Sequence, residues 1–99
     1  MARYAVIFEN NDGADAIREK FHAAHLAYLE RNRDKILIGG ALRASPDEPS
    51  VGGLWVVEAA SRDEAVRLCE DDPFFSEGLR KSYRLLLWGK AFADRPVTL

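Results

Sequence analysis

The chain has 99 residues, of which 47% are hydrophobic and 30% charged, and a net charge of −2. That composition excludes intrinsic disorder and leaves room for one domain, spanning residues 1–99, that buries roughly two thirds of the surface its unfolded chain exposes. No apolar run approaches the ~18 residues of a membrane span, and neither a basic nucleic-acid footprint nor a polybasic membrane patch is visible. One cysteine, Cys69, excludes an internal disulfide framework and a multi-cysteine zinc site. No signal-peptide h-region follows Met1, and the expected compartment is the cytoplasm.

Arg3-Tyr4-Ala5-Val6-Ile7-Phe8-Glu9 reads as a first strand, stopped by the turn formers Asn10-Asn11-Asp12-Gly13. Residues 14–32 read as a long helix, with Ile17, Phe21, Ala24 and Tyr28 forming its apolar stripe. Asp12 or Asp15 is placed to cap or charge its start. Ile36-Leu37-Ile38 opens a second strand that passes through Gly39-Gly40 to about Arg43. A glycine pair there marks a bulge or a close approach to the backbone. The loop from Ser45 to Ser50 is too polar and proline-rich for either regular element, and Gly52-Gly53 suggests a turn. Leu54-Trp55-Val56-Val57-Glu58-Ala59 is the third strand. Ser61-Arg62-Asp63-Glu64 forms a capping box for a second helix that ends near Glu70. Asp72-Pro73 starts a separate short turn, with aspartate as its cap and proline at its first position. Tyr83 to Trp88 is the fourth strand, and residues 91–99 are a loose tail.

The order βαββαβ predicts an α+β, ferredoxin-like domain: a four-stranded antiparallel sheet with two helices on one face. All four strands carry consecutive apolar residues, such as Ala5 to Phe8 and Leu54 to Val57, so both sheet faces are apolar. Helices cover only one of them, and a bare apolar face of that size predicts a homodimer built face to face. The competing expectation is that the tail folds back over the open face, with only Ala91, Phe92, Val97 and Leu99 as bulk.

On the first helix, Arg18, His22, His25 and Leu29 follow one edge of the stripe, with His25 about 60° from its centre. An arginine and two imidazoles on a half-buried edge suit a small anionic or polar ligand. His22 and His25 also stand at a metal-pair spacing, but no cysteine or carboxylate shares their edge, so no metal is expected. His25 is read either as a structural histidine or as a general base. Asp72 is read as a helix cap that is also rigid enough to orient a histidine, with Asp71 adding negative potential beside it. Cys69 is read as inert packing, and no P-loop, nucleotide fingerprint or Ser-His-Asp order is present.

Five pieces, in order along the chain, resemble the YciI-like (YCII-related) family. They are His25-Leu26 with Leu29, Gly39-Gly40-Ala41-Leu42, Trp55-Val56-Val57-Glu58, Ser61-x-x-Glu64-Ala65 and Asp71-Asp72-Pro73-Phe74. The resemblance covers residues 3–92. It implies a dimeric α/β barrel and a His–Asp active-site pair, which falls here on His25 and Asp72. It also implies dehydrochlorinase or dehalogenase chemistry on small ring compounds in aromatic degradation. Eliminating HCl from a hydroxylated ring needs a base and a place for developing negative charge, so no cofactor or metal is expected. A non-catalytic metabolite-binding or accessory module, and a cofactor-free monooxygenase or isomerase, are the alternatives. The expected substrate contacts are Arg18 and His22 from the helix edge, with Tyr28, Pro73, Phe74 and Phe75 as an apolar wall.

Overall fold

A computed structural model describes residues 1–99. Its elements are β1 (Ala2–Asn10), α1 (Ala14–Arg31), β2 (Ile36–Leu42), β3 (Gly52–Ala59), α2 (Arg62–Glu70), α3 (Pro73–Ser76) and β4 (Arg80–Leu87). The strands form one sheet in the order β2-β3-β1-β4, and every neighbouring pair is antiparallel. This is the expected ferredoxin-like arrangement.

Local chemistry accounts for the element ends. The Ser61 hydroxyl accepts from the Glu64 backbone N–H at 3.1 Å, and the Glu64 carboxylate accepts in return from the Ala60 N–H at 3.2 Å. The capping box thus closes one residue earlier than its usual form. The start of α1 differs from the expectation. Neither Asp12 nor Asp15 caps it; Gly13 holds the cap position at φ 73, a left-handed conformation that suits glycine, and Asp15 contributes only charge in the first turn.

Strand pairing decides which side chains face the helices. Tyr4, Val6 and Phe8 from β1 and Trp55 and Val57 from β3 join Tyr28, Ala65, Leu68 and Cys69 in the main core. The rings of Phe8 and Trp55 meet edge to face at 4.8 Å. Cys69 is fully buried, and desolvation, followed by the charges of Glu70 and Asp72, pushes its thiol up to about 12. It is unreactive packing at neutral pH. A second cluster of Ala14, Phe74 and Leu79 packs with Ile17 and Phe21 where α1 meets α3.

The Gly52-Gly53 pair is not a turn, as the sequence suggested, but the first two residues of β3, opposite Glu9 and Phe8. A Cβ on Gly52 would lie 2.0 Å from the Phe8 carbonyl oxygen, so only glycine permits that close pairing. The stripe on α1 is also rotated from its expected position. Ala24 is exposed, and His25 is buried in its place.

The opposite face of the sheet carries Ile38, Val56, Ala5 and Leu86 in one cross-strand row. Tail residues Phe92, Val97 and Leu99 line a half-open apolar groove of about 300 Å³ against Arg3, Val56 and Trp88. Val56 is consequently only 5% exposed, whereas Ile38, Leu86 and Trp88 remain 48%, 42% and 52% exposed. The tail therefore covers part of this face and leaves its two edges bare.

Candidate active site

The site begins with an absence of side chains. Beyond Ile36, the helix-facing positions of β2 are Gly39 and Ala41, paired with Trp55 and Gly53 of β3. These small residues leave a gap beneath α1 that larger ones would fill. The gap is a cleft of about 250 Å³. Arg18, His22, His25, Leu26 and Leu29 line it from α1, and Gly39, Gly40 and Ala41 from β2. Arg43, Gly52, Trp55, Phe74 and Arg80 complete the wall.

His25 and Asp72 meet at the inner end. His25 Nδ1 lies 2.7 Å from Asp72 Oδ1, and the two residues are 8% and 0% exposed. A carboxylate can only accept, so a neutral imidazole that makes this bond carries its proton on Nδ1 and keeps the Nε2 lone pair. Asp72 Oδ1 also accepts from the Phe74 backbone N–H at 3.2 Å, which makes Asp72 the cap of α3. One oxygen thus serves both the helix and the histidine. The other, Oδ2, is buried without a partner. Phe74 fixes the imidazole from its face: the rings stack at 3.8 Å between centroids, with 7° between planes. Asx-capped helix, stacked ring and charged hydrogen bond together hold His25 in one orientation.

Arg18 and His22 reach the cleft, as expected from the helix edge. Arg18 Nη1 lies 3.3 Å from Asp15, whose side chain is almost wholly exposed, a pairing of little energetic weight. Tyr28 does not reach the cleft. Its hydroxyl donates to the Leu68 carbonyl at 2.7 Å inside the core. Burial, then the charges of Asp71 and Asp72, push that hydroxyl up to about 12. Phe75 packs edge to face on Tyr83 at 5.5 Å, away from the cleft, and Pro73 is the first residue of α3 outside its lining.

Arg80 is the cleft residue that sequence reading missed. The β1–β4 register slips between Glu9 and Asn10, and Arg80 comes to lie over the Phe8 ring at 4.5 Å and near the Phe74 ring at 5.6 Å. Such a slip re-aims a side chain in a way that strand alternation cannot anticipate. Trp55 and Arg43 were likewise not foreseen as lining, although the close backbone approach expected at Gly39 is present. A Cβ there would lie 3.0 Å from Trp55 Cδ1.

Fold and site together define a small α+β protein with a buried, ring-stacked histidine–aspartate pair opening on a compact cleft. More narrowly, a model of the YCII-related domain matches residues 2–89, and the chain belongs to that family. Among solved structures it is similar to 5-chloro-2-hydroxyhydroquinone dehydrochlorinase (TftG) from Burkholderia phenoliruptrix, in complex with 2,5-dihydroxybenzoquinone. That match has 30% identity and a TM-score of 0.78, and covers 88% of this chain and 93% of the other. Protein Atu4242 from Agrobacterium tumefaciens shares the fold at 13% identity and a TM-score of 0.56, over 92% of this chain and 94% of that one. No curated sequence matches the chain significantly. No helix is long and apolar enough to cross a membrane.

Proposed function

We propose that this protein is a dehydrochlorinase-type lyase that removes HCl from a small hydroxylated, chlorinated ring compound, with His25 as general base. The observation that carries the reading is the 2.7 Å His25–Asp72 bond in the wall of the cleft. Its support is the 30% identity to a dehydrochlorinase of the same fold. One hydroxyl proton first moves to the chlorine-bearing ring carbon, which becomes tetrahedral, and Nε2 of His25 then takes a second proton from a ring hydroxyl or ring carbon conjugated with it. The electrons released re-form as a ring π-bond or carbonyl, and the C–Cl bond breaks with its pair leaving on chloride. Loss of H⁺ and Cl⁻ balances without an external electron acceptor, so the scheme calls for no cofactor. Asp72 holds the imidazole tautomer and stabilises the imidazolium that forms. Arg18 and His22 offer donors to the developing oxyanion or the departing chloride. Phe74 is the aromatic floor.

The test is chloride release from chlorinated hydroxyquinols by the purified protein. Stoichiometric chloride and quinone are expected. Ring binding without chloride would instead favour a metabolite-binding module, and oxygen consumption with hydroquinones a cofactor-free monooxygenase.

The working unit in this reading is a cytoplasmic homodimer. Its support is the row of apolar side chains whose ends the tail leaves bare, Ile38 at one edge of the sheet and Leu86 at the other. Sedimentation at micromolar concentration is expected to give the mass of two chains, and a monomer would overturn the pairing.

A further inference from the structure

The cleft is positive in a chain that is negative. Three guanidiniums, Arg18, Arg43 and Arg80, line it, and no carboxylate does, while the whole chain carries −2. Arg80 is the informative one. It is only 9% exposed, takes part in no ion pair within 4.0 Å, and bonds through Nη1 only to the neutral amide oxygen of Asn10 at 3.0 Å. Its Nε is buried without a partner. The group is also held in place. Its Nη1 and Nη2 lie 3.2 and 3.3 Å from where a Cβ on Gly53 would stand, so the missing side chain of Gly53 makes room for the guanidinium against the strand. Phe8 packs under it. Burial, offset in part by Asp72 and reinforced by the nearby charge of Arg18, lowers its pKa to about 10, which leaves it fully charged at neutral pH.

A buried cation with an unused donor and no carboxylate within ion-pair distance is costly unless something repays it. A purely structural role, bridging Asn10 and covering Phe8, would not require three positive groups on one small cleft. Arg80 and His25 also share one support, since His25 stacks on Phe74 and Arg80 lies 5.6 Å from the same ring. A ring compound seated there meets the base and the cation together.

We propose that the cleft selects ring substrates that arrive as anions, phenolate or enolate, and that Arg80, aided by Arg18, binds the charged oxygen. This rests on the reading of the cleft as a ring-substrate site and adds a charge requirement to it. Arg80 then acts on the bound ground state, distinct from the proton transfer at His25.

Calorimetric titration tests it with two ligands on the same ring. 2,5-Dihydroxybenzoquinone is ionised at neutral pH because its enolic hydroxyls are vinylogous acids; 2,5-dimethoxybenzoquinone cannot ionise. The wild-type protein is expected to bind the first at least about 10-fold more tightly, the worth of one charge-assisted hydrogen bond. Arg80→Gln is expected to erase that preference and Arg80→Lys to retain part of it. A preference that arose from the size of the methoxy groups would survive Arg80→Gln and would overturn the proposal. Equal affinities in the wild-type protein, or no binding of either ligand, would overturn it too. If Arg80→Gln does not fold, Arg80→Lys decides: it keeps the charge but loses the guanidinium fork, so the preference must fall, and an unchanged preference sinks the idea. Binding is read without turnover. Absence of chloride release would therefore refute the lyase reading and leave an anion preference standing, and chloride release with equal affinities would do the reverse.

Discussion

Asp72→Asn is expected to lower the rate of chloride release by about 10³-fold or more while leaving the fold nearly as stable as before. The asparagine side-chain oxygen can still accept from the Phe74 N–H, so the cap of α3 survives. What disappears is the negative charge beside His25 Nδ1. Without it the imidazolium formed on proton abstraction loses its stabilising partner, and an amide that also donates no longer fixes the tautomer. The substitution thus separates the two duties that Asp72 Oδ1 performs in one geometry. A thermal melt alongside the chloride assay checks both. A rate within about 10-fold of the wild type would show that Asp72 is only a helix cap, whose loss of charge is of no catalytic consequence.

His25→Ala is expected to cost both activity and stability. Removing a positioned base forfeits roughly 10²- to 10⁴-fold in rate. The stability loss has a separate origin. Asp72 is wholly buried, its Oδ2 already lacks a partner, and without His25 its Oδ1 keeps only the Phe74 N–H. Breaking a buried pair from one side typically costs about 3 to 5 kcal/mol. The truncation also removes the ring stacked at 3.8 Å on Phe74. His25→Gln provides the contrast, because its amide can donate to Asp72 but cannot act as a base near neutral pH. It is expected to recover much of the stability and none of the rate, as read by urea unfolding beside chloride release. Full activity in His25→Ala would refute the mechanism, and unchanged stability would show that the pair is not coupled to the fold.

Much of this architecture is local and therefore legible. β1, with its run of β-branched and aromatic residues, α1 with its helix formers, and the Ser61–Glu64 capping box all lie within two residues of where they were expected. The Asp72-Pro73 start of α3 was equally plain, because a cap and an N1 proline are both one-residue decisions. The pairing of His25 with Asp72 was not local. Nothing within either segment connects residues 47 positions apart, and the family resemblance suggested the pair before the 2.7 Å bond showed it.

The misreadings share a cause. Helical periodicity placed Ala24 in the buried stripe of α1 beside Ile17, Phe21 and Tyr28, because it counts apolar residues and takes no account of what the helix packs against. Docking on α3 turns the histidine inward instead, where Asp72 compensates its polarity and Phe74 its face. Gly52 and Gly53 read as a turn because glycine pairs commonly make one. Their role is set by neighbours remote in sequence, the Phe8 carbonyl against Gly52 and the Arg80 guanidinium against Gly53. Arg80 was invisible for the related reason that a register slip between two strands, at Glu9 and Asn10, decides where it points. Tyr28 and Phe75, chosen as substrate contacts for being aromatic and nearby in sequence, are occupied by Leu68 and Tyr83.

By itself the sequence determined a 99-residue α+β chain with strands apolar on both faces, a charged helix edge carrying Arg18, His22 and His25, and a rigid aspartate cap. Periodicity, capping and turn chemistry act over a few residues and are written where they act. Only the tertiary structure decided that the small helix-facing residues of β2 and β3 open a cleft, that His25 and Asp72 close its inner end, and that the near-neutral average of the chain conceals three guanidiniums around one small space. Those features depend on which strands pair and in what register, and that is settled by the packing of the whole chain at once.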